Sequence, residues 1–302
     1  ASASDVPSIN LGPYFASGSM DTQEAVALEL RQAALSTGFM HVTGHGVSRD
    51  VVRSAFDAAK QFHESLPERY KAALAMDGTP AHDDEVRAGC GYLHERNSKL
   101  PARPKPKINA AFVVKRECGP RNVLLHRMPW PDEDSYPALA GFRKAVEAYC
   151  ESMELLALKM LPIFAAALHL PADYFAPGFE KPLFRLRLSR YAPTPPGEYG
   201  INPHVDTSFF TILRPSGPGL VVQTRNAGTD GSEGSGGWVR VPFHEDEDAF
   251  VVNFGELLSQ ITNDKWPATR HYAVHQGSVA RYALPFFFNA TPPSTTSTVY
   301  TI

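Results

Sequence analysis

From residue 183 onward the chain is a succession of short β-type runs, each too short to stand without neighbours. They read "LFRLRLSRY" (183–191), "FFTIL" (209–213), "GLVVQTR" (219–225), "GWVRVPF" (237–243), "AFVVNF" (249–254), "HYAVHQ" (271–276) and "RYALPFFFN" (281–289). Turn residues separate them at fairly regular spacing, a pattern that suits a sandwich or a closed barrel. One interval, "NAGTDGSEGSGG" (226–237), reads as a long flexible hairpin loop.

The first half is different in kind. Residues 23–35 and 50–66 carry apolar positions at helical spacing, the second closed by Pro67, and "FMHVT" (39–43) between them reads as a strand. Residues 77–110 are rich in Gly, Pro and charge and read as irregular, with 101–107 favouring extended backbone. A long helical pattern spans roughly 138–168, and Pro162 within it predicts a kink or a break. The expected assembly is a helical or mixed N-terminal region over 1–120, folded against a long helix and double-sheet barrel over 121–302.

Composition excludes several function classes. A formal net charge of −3 gives no basic footprint, so no nucleic-acid partner is expected. No apolar run reaches membrane-spanning length, because Glu154 and Lys159 interrupt the most apolar helix. The opening "ASASDVPSIN" lacks the charged and apolar regions of a secretion signal, and Cys90, Cys118 and Cys150 show no C-x-x-C spacing. A cytoplasmic monomer with reduced thiols is the expectation.

Within 201–213 stands "INPHVDTSFFTIL". If this run is a strand, His204 and Asp206 share one face and can grip one object. Two donors do not saturate a divalent ion, so a third is expected from a later strand, with His244, His271 and His275 as candidates. Two histidines and a carboxylate leave coordination positions open, which suits non-haem Fe(II) and oxygen chemistry, and such a donor set also suits catalytic zinc. An H-x-D pair alone is more often a hydrogen-bonded polar pair at a sheet edge than a metal site.

The chain as a whole resembles the isopenicillin N synthase-like family of Fe(II)/2-oxoglutarate-dependent oxygenases. The resemblance is carried in order by "VPSINL" (6–11), "STGFMHVTGHGV" (36–47), "FRLRLSRYAP" (184–193), "PHVDTSFFTIL" (203–213), "GLVVQ" (219–223), "GWVRVP" (237–242), "VVNFGELL" (251–258), "TNDKWPATRHYAV" (262–274) and "RYALPFFFN" (281–289). It implies a distorted double-stranded β-helix, a jelly-roll or cupin-like barrel, with an N-terminal helical domain packed against it. It also implies Fe(II), 2-oxoglutarate and O2, with ascorbate as a stimulant, and a small-molecule substrate oxidised as 2-oxoglutarate becomes succinate and CO2.

By the same resemblance His204, Asp206 and His271 match the iron ligands, which favours His271 over His275. Arg281 matches the arginine that pairs with the distal carboxylate of 2-oxoglutarate, a charge-assisted contact that explains the residue type. Tyr191 matches the tyrosine that bonds the same carboxylate, and Ser189 shares its strand face. The family pattern departs at Ala283, which stands where a serine hydroxyl is usual, and at Ser189, where asparagine is common. One lost hydroxyl contact costs about 1 kcal/mol, so Arg281 and Tyr191 should still hold the cosubstrate. Two rivals remain: an iron oxidase that uses no 2-oxoglutarate, and a ligand-binding relative without turnover. Expected substrate walls are the segment 89–99 with Arg96, the strand around Phe112, and the rings of Phe209 and Phe287. His41, His45 and His244 are read as structural.

Overall fold

The computed structural model describes residues 6–16, 19–76, 89–95, 108–117, 128–193, 195, 198–223, 237–245, 248–275 and 277–291. Twelve strands occur among them: β1 Ser8–Asn10, β2 Phe39–Thr43, β3 Gly91–Leu93, β4 Asn109–Lys115, β5 Leu183–Tyr191, β6 Ile201–His204, β7 Phe210–Pro215, β8 Leu220–Gln223, β9 Trp238–Arg240, β10 Phe250–Phe254, β11 His271–Ala273 and β12 Arg281–Asn289. The helices are α1 Gly12–Ala16, α2 Met20–Ser36, α3 Arg49–Ser65, α4 Glu68–Ala73, α5 Phe142–Ala167 and α6 Glu256–Ile261. An eight-stranded sheet runs β1-β2-β10-β7-β12-β5-β4-β3, and a four-stranded sheet runs β6-β11-β8-β9. Together they make the jelly roll.

Register gives the large sheet two distinct faces. Each pairing from β2 through β10, β7, β12 and β5 to β4 joins even residue to even residue, for example Val252 to Ile212, Phe286 to Leu186 and Leu188 to Phe112. Side chains alternate along a strand, so the even row forms one continuous face. Met40, Val42, Phe112, Leu186, Leu188, Ile212, Leu284 and Phe286 are buried there in one cluster with Leu30 of α2, Phe62 of α3 and Phe164 of α5. The odd row faces the small sheet. At one end it closes with apolar packing of Phe39 and Val251 on Leu220 and Val222; at the other it stays polar.

Several expectations are corrected. The mixed N-terminal part adds strands to the large sheet, β1 and β2 forming one end and β3 and β4 the other. The short strand 39–43 is satisfied by pairing with β1 and β10. The irregular segment 77–110 contains β3, and its remaining residues between 96 and 107, like 77–88, fall outside the described residues. Helix α5 continues through Pro162 without a break, flanked by buried Leu161 and Ile163, so core packing holds the turn that proline weakens. The loop expected at 226–237 lies almost wholly outside the described residues. Cys90 and Cys150 are buried, and neither is in a disulfide among the described residues. Among the described residues no helix is long and apolar enough to cross a membrane.

Candidate metal centre and cosubstrate cavity

The H-x-D pair does not share one strand, as its spacing suggested. Strand β6 ends at His204, and residues 205–209 carry the chain from the small sheet across to β7 of the large one. Asp206 sits in that crossing. Its backbone is clamped onto the turn before α6: Glu256 N donates to Asp206 O at 2.7 Å and Gly255 N to Phe209 O at 3.1 Å. A Cβ at residue 255 would lie 1.9 Å from Ser208 O, so only glycine permits this approach. His271 opens β11, directly opposite His204 in register. The small sheet thus delivers both imidazoles, and the crossing to the large sheet delivers the carboxylate.

The three ligand atoms lie within 4.8 Å of one another. His204 Nε2 and His271 Nε2 stand 3.5 and 3.7 Å from the same oxygen, Asp206 Oδ1. Each imidazole has its other nitrogen on a backbone carbonyl, Nδ1 of His204 at 2.9 Å from Asn202 O and Nδ1 of His271 at 3.0 Å from Thr269 O. A nitrogen facing a carbonyl carries the proton, which leaves both Nε2 lone pairs turned inward. The second carboxylate oxygen, Asp206 Oδ2, accepts from Thr211 Oγ1 at 2.7 Å and Asn253 Nδ2 at 2.8 Å. Burial alone would push the Asp206 carboxyl up, but bonding to His204 and Asn253 and the charge of His271 outweigh it and hold the group well below the usual carboxylate range. Burial holds the His271 imidazole down, in its neutral, metal-binding form. Two imidazoles and one ionised carboxylate on one side of a point fit Fe(II) with positions left open.

A cavity of about 550 Å³, counting its open mouth, lies against this centre. That is the size of a small-molecule site. Arg281, Tyr191, Ala283 and Phe287 line it, and Ala283 and Phe287 follow Arg281 along the odd row of β12. The Arg281 guanidinium is buried, donates from Nε to Gly217 O at 2.9 Å, and lies 5.0 Å from the Tyr191 ring centroid. Burial lowers its proton affinity and the contact with Tyr191 raises it. Ser189 is fully buried between Ala111 and Ala283 on the same face, yet it is not part of the cavity wall.

Two expected substrate walls face away. Phe112 is an even residue, packed on Phe62 and Phe142 under the helices. Phe209 precedes β7 and packs on Phe164, Phe175 and Phe179. Aromatic type marked both, but strand parity assigns Phe112 to the core, and the crossing into β7 turns Phe209 there too. Arg96 falls outside the described residues. His275 is apart from the metal cluster, its Nε2 on Val279 O. His41 and His45 bond Pro242 O and Asp248 O, each at 3.0 Å, as structural residues. Thr211, Asn253 and Arg187 belong to the site and were not anticipated. A signal was present for Asn253, the one polar residue inside "AFVVNF".

Comparison with known proteins agrees with this geometry. A family profile described as non-haem dioxygenase in morphine synthesis N-terminal matches residues 6–133, and one described as the 2OG-Fe(II) oxygenase superfamily matches residues 182–290. A 2-oxoglutarate-dependent dioxygenase of Gibberella zeae is 31% identical, over 98% of this chain and 78% of its own. Isopenicillin N synthase of Streptomyces jumonjinensis is 28% identical, over 95% of this chain and 85% of its own. Among solved structures, a full-length Neurospora crassa protein in complex with alpha-KG and thymine superposes with a TM-score of 0.80 at 22% identity, covering 96% of this chain and 87% of that one. At that identity the likeness is one of fold. The chain belongs to the isopenicillin N synthase-like family of Fe(II)/2-oxoglutarate-dependent oxygenases, and it is an enzyme of the dioxygenase class whose cofactors are Fe(II), 2-oxoglutarate and O2.

Proposed function

We propose that the enzyme oxidises an unactivated C–H bond of a small molecule, by hydroxylation, desaturation or ring closure, as 2-oxoglutarate is decarboxylated to succinate and CO2. The observation that carries this reading is the placement of a buried arginine and an inward-facing donor set on one small cavity. His204, Asp206 and His271 would hold the iron, which supplies the oxygen-activating chemistry. Arg281, with the Tyr191 hydroxyl, would take the distal carboxylate of 2-oxoglutarate and so fix which end of it reaches the metal. Asn253 and Thr211 hold Asp206 by Oδ2, so that Oδ1 would be the oxygen left for the ion. The apolar walls at Leu213, Leu220 and Phe287 keep water from the reacting C–H bond.

The test is anaerobic titration of the Fe(II) protein with 2-oxoglutarate, following the charge-transfer band of the chelate, and then succinate measurement in air. A saturable band and succinate release are expected. Absence of both would sink the reading and leave an iron oxidase in which Arg281 holds a carboxylate of the substrate itself, the alternative that Ala283 brings forward.

A further inference from the structure

A second link between the sheets lies beside the cavity. Strand β7 ends at Pro215 in the large sheet and β8 begins at Leu220 in the small one, so residues 216–219, Ser-Gly-Pro-Gly, pass between them. Strand β12 runs along β7 until Ala283 stands opposite Pro215. Beyond that point its remaining residues, Tyr282 and Arg281, meet the link instead.

One end of the link grips the arginine. Ser216 N donates to Tyr282 O and Tyr282 N donates to Ser216 Oγ, each at 2.9 Å. Arg281 Nε donates to Gly217 O, also at 2.9 Å. The backbone next to Arg281 and the guanidinium itself are therefore fixed by the same short segment. The other end grips the strand that bears a metal ligand. Val274, three residues past His271, donates from its N to Gly219 O at 2.9 Å. Gly219 has a φ of +130°, and a Cβ there would lie 2.0 Å from Val274 O, so only glycine allows this seat. Pro218, between the two grips, stiffens the segment.

A guanidinium can meet a carboxylate through Nε and one Nη, or end-on through both Nη groups. With Nε already on Gly217 O, the end-on mode is the one left to an incoming carboxylate. The link also joins Arg281 to the strand of His271, and so sets how far the guanidinium stands from the metal centre. A molecule that chelates the metal at one end and meets Arg281 at the other must match that span.

We propose that residues 216–219 are the length gauge of the cosubstrate site. In this role Ser216 is a positioning residue, which makes the enzyme select the five-carbon 2-oxo diacid over its four- and six-carbon homologues. Ser216 is not in the cavity wall and acts through the backbone beside Arg281. This rests on the reading of Arg281 as the partner of the distal carboxylate.

The test is anaerobic titration of the Fe(II) protein with 2-oxoglutarate, oxaloacetate and 2-oxoadipate, following the charge-transfer band of each chelate. Wild type should bind 2-oxoglutarate about 10-fold or more tightly than either homologue. In Ser216→Ala, 2-oxoglutarate should weaken about 3- to 10-fold, the size of one hydrogen bond's net contribution. The homologues should weaken less, so that the margin narrows, and Ser216→Thr, which keeps the hydroxyl, should restore it. If Ser216→Ala does not fold, Pro218→Gly loosens the same segment without removing a donor and should also narrow the margin. The proposal is overturned if wild type does not prefer 2-oxoglutarate, or if all three acids weaken alike and the margin stays unchanged. It is equally overturned if Ser216→Thr behaves as Ser216→Ala does. Failure of the Arg281 reading looks different: Arg281→Ala would then titrate with 2-oxoglutarate as the wild type does.

Discussion

The two faces of the large sheet are made from the same strands and obey opposite rules. On the even face of β5, β7 and β12, Leu186, Leu188, Ile212, Leu284 and Phe286 are buried against helices. On the odd face stand Arg185, Arg187, Ser189, Tyr191, Thr211, Arg281 and Ala283. The apolar residues of the even face complete their packing within the chain and so supply stability. The small sheet and the crossing set two imidazoles and a carboxylate opposite the arginines of the odd face, whose Ser189 Oγ, Asn109 side chain and Arg185 Nε are buried without hydrogen-bond partners among the described residues. Function resides where the chain leaves its polar groups to be completed by something else.

The largest effect should come from breaking the metal centre that the odd face looks onto. His204→Ala, Asp206→Ala and His271→Ala should each abolish iron-dependent succinate formation while circular dichroism still reports a folded chain. Activity surviving in His271→Ala but lost in His275→Ala would replace the third ligand. The even face should respond in stability instead. Phe112→Ala, within the packing of Phe62 and Phe142, should cost about 3–5 kcal/mol in urea unfolding and leave 2-oxoglutarate affinity unchanged; a selective loss of affinity would return Phe112 to the site.

Next in size is Arg281→Ala, which strips the cosubstrate carboxylate of its buried partner. It should weaken 2-oxoglutarate by about 2–5 kcal/mol in the anaerobic titration, with little change in melting. The even face also has a pH signature. His63 of α3 is buried with Nε2 donating to Leu188 O at 2.8 Å, and burial pushes its imidazole from 6.5 down to about 4. The unfolded chain therefore takes up a proton that the folded one refuses between those values. Stability is complete above about pH 6.5 and falls as pH drops toward 4, by up to about 3 kcal/mol. His63→Gln keeps a donor and should flatten that fall in urea titrations at pH 7.5 and 5; an identical slope in wild type and variant would refute the assignment. Smallest is Ala283→Ser, which adds a hydroxyl beside Arg281 and should tighten 2-oxoglutarate by no more than about 1 kcal/mol. A much larger gain would mean that the cavity is built around that missing group.

Legibility followed the strength of the local pattern. Strands β5 and β12 carry nine residues each of strong β type between turn signals, and both begin and end where their sequence runs do. Helix α3 reads to within a residue because Ser48 caps it and Pro67 follows it. Short elements fared worse. β3 was submerged in a segment rich in charge and glycine, because three residues become a strand only when a partner such as β4 is present. Tyr191, Arg281 and the H-x-D…H series were found by order along the chain, whereas Thr211 and Asn253 gave only the faint sign of a polar residue at an apolar-looking position.

The sequence by itself determined which residue types are present and in what order: two sets of periodicity, helical then strand-like, and a donor series that only a closed double sheet can bring together. Tertiary structure decided the rest. It ended β6 at His204 and sent Asp206 across to the other sheet, because the backbone of residues 206–209 bonds residues 255–257 at a glycine that permits contact. It also decided that Phe112 and Phe209 are core and that Phe287 lines the cavity. A strand's alternation is local, but which of its two faces meets the helices is set by packing and register with neighbours far along the chain, as in Leu188 clustered with Phe62 and Phe286 paired with Leu186.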